Sequence, residues 1–143
     1  MRSMRILAAM TFAAVLSLGA AGCKDAMAPS VLANMGGMDG VSKFLDNWTA
    51  AMSADANLSK ALTADDMSMI TRGFTNEVAK ASEIPMPNAG VDLVQVLKDK
   101  HLSKPNLEAI GAALKSATVT SKLSPDATKG AMNLWKAAAS KAD

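Results

Sequence analysis

Residues 41–53, VSKFLDNWTAAMS, contain the strongest periodic pattern in this sequence. Apolar side chains recur there at intervals of three and four residues, which places them on one face of a helix: Val41, Phe44, Leu45, Trp48, Ala51 and Met52. The opposite face is polar, with Ser42, Lys43, Asp46, Asn47 and Ser53. The segment is therefore predicted to be an amphipathic helix that buries one face in a core.

Three more helices are predicted after this one, each beginning at a polar capping residue. Thr63, with Asp66 three residues later, resembles a capping box and opens a helix over about 64–82. Ser103 and Ser124 each precede a helix with proline in its first turn. The apolar stripes of these helices are Met67, Ile70, Phe74, Val78 and Ala81, then Leu107, Ile110, Leu114 and Ala117, then Ala131, Met132, Leu134, Trp135 and Ala138.

The remaining segments separate these helices. Gly36 and Gly37 break the chain before a new element opens at Asp39 and Gly40, and 84–90 is predicted to be a loop because of its prolines and glycine. Residues 91–97 form a shorter apolar stretch, and 118–123 is predicted to be a loop of modest β propensity. No segment alternates apolar and polar residues over a strand length. The sequence therefore predicts an all-α fold.

The first 22 residues have the three-part pattern of a secretion signal. Arg2 and Arg5 precede an uncharged stretch over 6–18, and small residues precede Cys23. That stretch is too short to remain in a bilayer as a spanning helix. Residues 1–22 are therefore predicted to be a signal peptide that is not part of the folded domain.

The residues before Cys23 resemble the lipobox of bacterial lipoproteins, with Ala20 where that family more often has leucine. The resemblance implies that Cys23 becomes the lipid-bearing first residue of an exported, periplasm-facing protein held at a membrane. Cys23 is the only cysteine, so it can form no internal disulfide, which favours acylation. Lys24 provides no inner-membrane retention signal, so an outer-membrane destination is preferred. The alternative is ordinary signal cleavage that leaves Cys23 as a free thiol.

Charge and motifs narrow the function class of the part that follows Cys23. Without Arg2 and Arg5 the Lys and Arg total falls from 15 to 13, equal to the 13 Asp and Glu, so no attraction to nucleic acid is expected. Roughly 120 residues suffice for one domain, predicted over 35–143 after a spacer over 23–34. No nucleophile motif of the Gly-x-Ser-x-Gly type is present, and the single histidine lacks the partners of a catalytic triad. We therefore expect a binding protein, not an enzyme.

The order of these segments resembles the truncated (two-over-two) haemoglobins, in particular exported lipoprotein-like members. The matching segments are 35–55, with a Gly-Gly break and an aromatic in mid-helix, 72–82, with a Gly-Phe pair, and 90–110, with a Pro/Gly loop before it and a Ser-capped helix. The resemblance implies a globin-like helical fold, a haem cofactor and the binding of oxygen or another diatomic gas. It covers about half of the predicted domain.

The resemblance also assigns positions around the haem. In that family a glycine is followed two residues later by Asp-Met, and the iron-binding histidine comes four residues after the methionine. Here Gly90, Asp92 and Leu93 fit this frame, and Leu97 stands at the histidine's position. The distal Phe-Tyr pair is replaced by Trp48 and Thr49, and Phe74 matches an aromatic of the long middle helix.

Ferrous haem needs a nitrogen or sulfur ligand, which Leu97 cannot supply. The only histidine, His101, comes four residues later, about 5.4 Å along the same face of a continued helix, and is the candidate for a displaced iron ligand. A second route to an iron ligand is thioether sulfur, for which Met35, Met38, Met52, Met67 and Met69 are available. The alternative interpretation of His101 is an exposed loop residue among lysines.

Three functions therefore stay open at this point. The first is binding of haem, or of another small apolar ligand, in a globin-like pocket. The second is a haem-free globin-fold protein with a structural or interaction role, whose protein partner the sequence does not identify. The third is a copper carrier built on methionines, with Met35 and Met38 or Met67 and Met69 as ligand pairs.

Overall fold

The computed structural model describes residues 31–143, and this part of the chain contains seven helices and no strand. They are α1 (Val31–Asn34), α2 (Gly37–Ala54), α3 (Ala56–Ala61), α4 (Ala64–Ala81), α5 (Leu93–Asp99), α6 (Lys104–Thr120) and α7 (Pro125–Ala142). The predicted all-α fold is thereby confirmed. The predicted signal peptide, Cys23 and the first part of the spacer lie outside the described residues.

The predicted capping residues begin three of the long helices. At α4 the Thr63 hydroxyl accepts the backbone N–H of Asp66 at 3.1 Å, and the Asp66 carboxylate accepts that of Thr63 at 2.9 Å. This is a complete capping box, which satisfies two donors at the helix start. The hydroxyls of Ser103 and Ser124 likewise accept the backbone N–H three residues later, at 3.3 and 3.1 Å.

The start of α2 differs from the expected one. The helix begins at Gly37 and not at Asp39 and Gly40. Gly36 adopts a φ of 87°, in the left-handed region that glycine enters without steric cost, and leads the chain directly into the helix. The preceding α1 occupies part of the predicted spacer and packs against α2, α4 and α7.

The end of α6 also differs, because the loop predicted over 118–123 is wrong for 118–120, which are helical. Thr118 is buried, and its hydroxyl donates to the carbonyl oxygen of Lys115 at 2.6 Å. A β-branched residue is thus accommodated in the last turn by burial and a local hydrogen bond. Lys122, with a φ of 54°, then turns the chain out of the helix.

The helices share a single apolar core. α2 packs against α4 and α6, α5 packs against α4 and α7, and α6 packs against α7. The largest fully buried side chains are Trp48, Phe44, Phe74, Met52, Leu58, Ile70, Leu93, Leu97, Ile110 and Leu114. Because residues 31–143 form one unit with its own continuous core, we expect this part of the chain to fold by itself.

Two features of α4 position α5. Gly73 allows close approach, since a Cβ added there would lie 2.8 Å from the Cα of Leu93. Asn76, only 1% exposed, holds the preceding loop: its Nδ2 donates to the carbonyl oxygens of Asn88 and Val91, both at 2.7 Å, and its Oδ1 accepts the Asn88 N–H at 3.1 Å. A loop rich in proline is thereby fixed by one buried amide.

Within residues 31–143, no helix is sufficiently long and apolar to cross a bilayer.

Candidate functional site

Four aromatic rings fill the interior where the resemblance places the distal side of a haem: Phe44, Trp48, Phe74 and Trp135. The Trp48 ring centroid lies 5.1 Å from that of Phe74 and 5.9 Å from that of Trp135, both nearly edge-to-face. The Phe44 centroid lies 6.2 Å from Trp48 and 6.0 Å from Phe74. These are favourable packing distances for aromatic pairs, so the rings support one another as a cluster. We refer to it below as the aromatic cluster.

Trp48 is anchored by a hydrogen bond as well as by packing. Its Nε1 donates to the carbonyl oxygen of Ile110 on α6 at 3.2 Å, and the side chain is fully buried. The neighbouring Thr49 is half-buried, and its hydroxyl donates to the carbonyl oxygen of Leu45 at 2.9 Å. The Thr49 hydroxyl is thus used within its own helix, and the indole N–H of Trp48 is used within the core.

Leu93 and Leu97, which the resemblance places beside the iron, lie on α5 with 0% and 1% of their surface exposed. Both belong to the same core as the aromatic cluster. An aliphatic side chain cannot coordinate iron, so the buried face of α5 provides no ligand at this position.

His101 lies apart from these residues, on the surface. α5 ends at Asp99, and His101 follows with a φ of 48° and its backbone N–H donated to the carbonyl oxygen of Lys98 at 3.0 Å. The turn ends the helix before His101 can extend the face of Leu97, and the histidine is exposed. Because the only histidine is exposed and the interior is closed by packed rings, the residues present do not fit a haem group.

The two methionines of each candidate copper-binding pair are not placed together. Met35 is 3% exposed in the core, whereas Met38 is 46% exposed. Met67 is buried, and its sulfur accepts a hydrogen bond from the Ser53 hydroxyl at 3.4 Å. Met69 is two residues further along α4, a spacing that does not place both sulfurs on one face. Met52 is fully buried in the core. Among the described residues no group of three or more His, Cys, Asp or Glu is arranged to hold a metal ion.

An ion pair joins the start of α4 to the end of α5. The Lys100 Nζ contacts Oδ1 of Asp66, the carboxylate that also completes the capping box. The hydrogen bond from Lys100, followed by that from the Thr63 backbone, lowers the pKa of Asp66 below its ordinary value. The pair connects two elements beside the loop that carries His101.

The structure has a groove between α6 and α7, with a volume of about 470 Å³. Six residues form its apolar floor: Leu107, Gly111, Ala112, Met132, Trp135 and Ala139. Charged and polar side chains line it as well: Lys104, Glu108, Lys115, Lys136, Ser140 and Asp143. We call this the α6/α7 groove. Volume and apolar lining are in the range of small-molecule sites.

A second groove of about 480 Å³ lies between α4, α5 and α7 and is more polar. It includes Glu77 and Lys80, which pair with each other at 3.1 Å, together with Asp92 and Lys141. Neither groove is lined by His101, Phe74 or Trp48. The predicted haem-site residues and the surface grooves are therefore in different places.

Sequence reasoning identified Trp135 as core but missed the α6/α7 groove. A signal for it exists, because both helices repeat the same spacing of four, three and four residues. On α6 this spacing connects Lys104, Glu108, Gly111 and Lys115, and on α7 it connects Met132, Lys136, Ala139 and Asp143. Each set lies along one helix face, which carries charged residues beside small or apolar ones.

No family model, no curated protein and no solved structure matches this chain.

Proposed function

We propose that this chain is an exported lipoprotein, anchored to a membrane through Cys23, whose helical domain has a truncated-globin-like arrangement and a binding role without haem. The contacts of α2 with α4 and α6, of α5 with α4, and of α6 with α7 are compatible with that arrangement. The domain binds through its surface and carries out no catalysis.

One observation carries the haem-free part of the proposal, namely the packing of the aromatic cluster with Leu97. A haem would have to displace aromatic rings that pack against one another, with centroids 5.1 to 6.2 Å apart. It would also need a ligand where Leu97 is 1% exposed. Removing such side chains from a core costs several kcal/mol each, roughly 3–5 for an aromatic. The closed interior is therefore the favoured state of this sequence.

Titration with hemin tests this part of the proposal. The chain from Lys24 onward is purified, hemin is added, and the visible spectrum and the melting temperature are recorded. We expect no sharp Soret band and no rise in melting temperature. A rise would indicate binding, because a bound ligand stabilises the folded state. The control is His101→Ala: a Soret band in the unaltered chain that this substitution abolishes would establish a displaced iron ligand and overturn the proposal.

The anchor is tested separately with the full chain in a bacterial host. We expect the mature protein to fractionate with membranes and to carry acyl chains on Cys23, detected by mass spectrometry of its N-terminal peptide. Cys23→Ser should release it to the soluble fraction, because the lipid provides the membrane affinity. Membrane association unchanged by Cys23→Ser would contradict the lipid anchor.

A further inference from the structure

Two motifs in the sequence have the form Asn-x-Ser/Thr without proline in the middle: residues 47–49 (Asn-Trp-Thr) and 57–59 (Asn-Leu-Ser). This motif is the acceptor sequence for N-linked glycosylation of exported proteins, in which an oligosaccharide is attached to the asparagine amide. The attached sugar is bulky and hydrated, so a usable acceptor must lie on the surface with its amide free. The structure distinguishes the two motifs by this criterion.

The motif at 47–49 is held within the folded domain. Asn47 is half-buried, and its Nδ2, the acceptor atom, donates to the Ser121 hydroxyl at 2.8 Å. Trp48 is fully buried in the aromatic cluster, and the Thr49 hydroxyl donates to the carbonyl oxygen of Leu45 at 2.9 Å. An enzyme can reach this motif only if α2 unwinds, which would expose the buried side chains of that helix: Val41, Phe44, Trp48 and Met52. The motif is therefore closed in the folded chain.

The motif at 57–59 is open to solvent. Asn57 and Ser59 are both exposed, and within residues 31–143 the side-chain amide of Asn57 forms no hydrogen bond. The motif lies on α3, which has six residues, too few for a helix to be stable by itself, and whose one buried residue is Leu58. Local opening of α3 therefore exposes a single core side chain, whereas opening of α2 exposes four.

An acidic residue also precedes this motif. Asp55 stands two residues before Asn57, and its carboxylate accepts the backbone N–H groups of Asn57 and Leu58 at 2.9 and 3.0 Å. Opening of α3 breaks these two hydrogen bonds and frees the carboxylate together with the motif. At the corresponding position before Asn47 the chain has Leu45. Of the two motifs, this one alone thus offers a carboxylate to a cationic peptide-binding site, two residues before its acceptor.

Asn57 is also far from the end of the domain at which the described chain begins. α3 precedes the start of α4, whereas α1 lies at the end of α4, where the Leu32 N–H donates to the Ser82 hydroxyl at 3.2 Å. α4 has 18 residues, a length of about 27 Å. A glycan on Asn57 is therefore carried at the end of α4 opposite to α1, where it leaves the connection to Cys23 unobstructed.

We propose that Asn57 is a site of N-linked glycosylation, and that the sugar donor is an oligosaccharide carried on a lipid pyrophosphate. The Asn57 Nδ2 attacks C1 of the first sugar, so that the Nδ2–C1 bond forms as the bond from C1 to the pyrophosphate oxygen breaks. The lipid pyrophosphate leaves with the bonding electrons, and one Nδ2 proton passes to a base of the transferring enzyme. The inference rests on the export proposed above, because this modification is made on exported chains.

Transfer in vitro tests the site independently of export. The folded chain from Lys24 onward is incubated with a bacterial oligosaccharyltransferase and its lipid-linked oligosaccharide, and intact and peptide masses are recorded. We expect one glycan per chain, attached to Asn57 and absent from Asn47. Asn57→Gln and Ser59→Ala should abolish the mass increase, whereas Ser59→Thr should retain it, because threonine also completes the motif. The matched control is Asn47→Gln, which removes the other motif and should leave the mass increase unchanged.

The substitutions at Asn57 and Ser59 are at exposed positions, so we expect unchanged melting temperatures, and a lost glycan then reports the motif and not misfolding. A chain that gains no glycan, a glycan attached to Asn47 in place of Asn57, or a mass increase that survives Asn57→Gln would overturn the inference.

Expression of the full chain in a bacterial host that contains such an enzyme separates this inference from the proposed anchor. Acyl chains on Cys23 together with a glycan on Asn57 would support both. A chain that is acylated but carries no glycan would overturn the glycosylation inference alone. A chain glycosylated on Asn57 without acyl chains on Cys23 would support glycosylation and contradict the lipid anchor, and a chain with neither modification would contradict the export on which the inference rests.

Discussion

Replacing Asn76 by alanine should destabilise the folded protein more than the small change in side-chain size suggests. The side chain is 1% exposed and makes three hydrogen bonds of 2.7, 2.7 and 3.1 Å to the backbone of Asn88 and Val91. Each bond contributes roughly 1 kcal/mol, so their loss costs about 3 kcal/mol. Alanine is the better helix former, which offsets this loss by about 0.5 kcal/mol of unfolding free energy. The net loss of unfolding free energy is therefore about 2.5 kcal/mol, or about 10 °C in melting temperature.

The assay is urea denaturation followed by far-UV circular dichroism, with amide hydrogen exchange as a local readout. Asn47→Ala is a matched control, because Asn47 is also on a helix but half-buried, with one hydrogen bond from its Nδ2 to the Ser121 hydroxyl at 2.8 Å. The same reasoning predicts a loss of only about 0.5 kcal/mol there. In Asn76→Ala the Asn88 amide should also exchange faster than in the unaltered chain.

Two results would contradict this expectation: a loss of stability in Asn76→Ala no larger than that in Asn47→Ala, or an Asn88 amide that keeps its protection against exchange. Either result would mean that the loop before α5 is held by its prolines and by the packing of α5, and not by the buried amide.

Three further substitutions test other parts of the fold. Gly73→Ala should destabilise by about 1 kcal/mol although alanine favours helices, because its Cβ would lie 2.8 Å from the Leu93 Cα; stabilisation in thermal melts would contradict this. Asp66→Asn should lower the free energy of unfolding at neutral pH by less than about 1 kcal/mol. Because the pKa of Asp66 is lowered in the folded state, the carboxylate contributes to stability above its unfolded pKa, near 3.8, and this contribution is lost as pH falls through the folded pKa. A difference in unfolding free energy between the variant and the unaltered chain that persists in strong acid would refute the Lys100 pairing. Phe74→Ala should cost about 3–5 kcal/mol in urea denaturation, and a loss below about 1 kcal/mol would show that the interior is not closely packed.

The resemblance assigned candidate haem-site positions to this sequence, but the geometry of those residues could not be predicted from it. The resemblance to truncated haemoglobins implies an iron ligand at the position of Leu97, and the structure adds that Leu97 is buried in the core. A sequence position four residues later made His101 a candidate on a continued helix. The helix ends first, since His101 has a positive φ and is exposed. Whether a helix continues for one more turn depends on contacts with other elements, which local propensity does not contain.

The helix starts at Thr63, Ser103 and Ser124 were determined by the sequence alone, because a cap is a hydrogen bond between residues three apart and forms wherever that short segment folds. The amphipathic pattern over 41–53 likewise determined which face of α2 is buried. Only the tertiary structure decided that four rings close the interior, and that the Trp135 N–H rests on Gly111 in an open groove. Those contacts join residues from different helices, and their distances depend on how closely the backbones approach, a property of packing and not of local sequence.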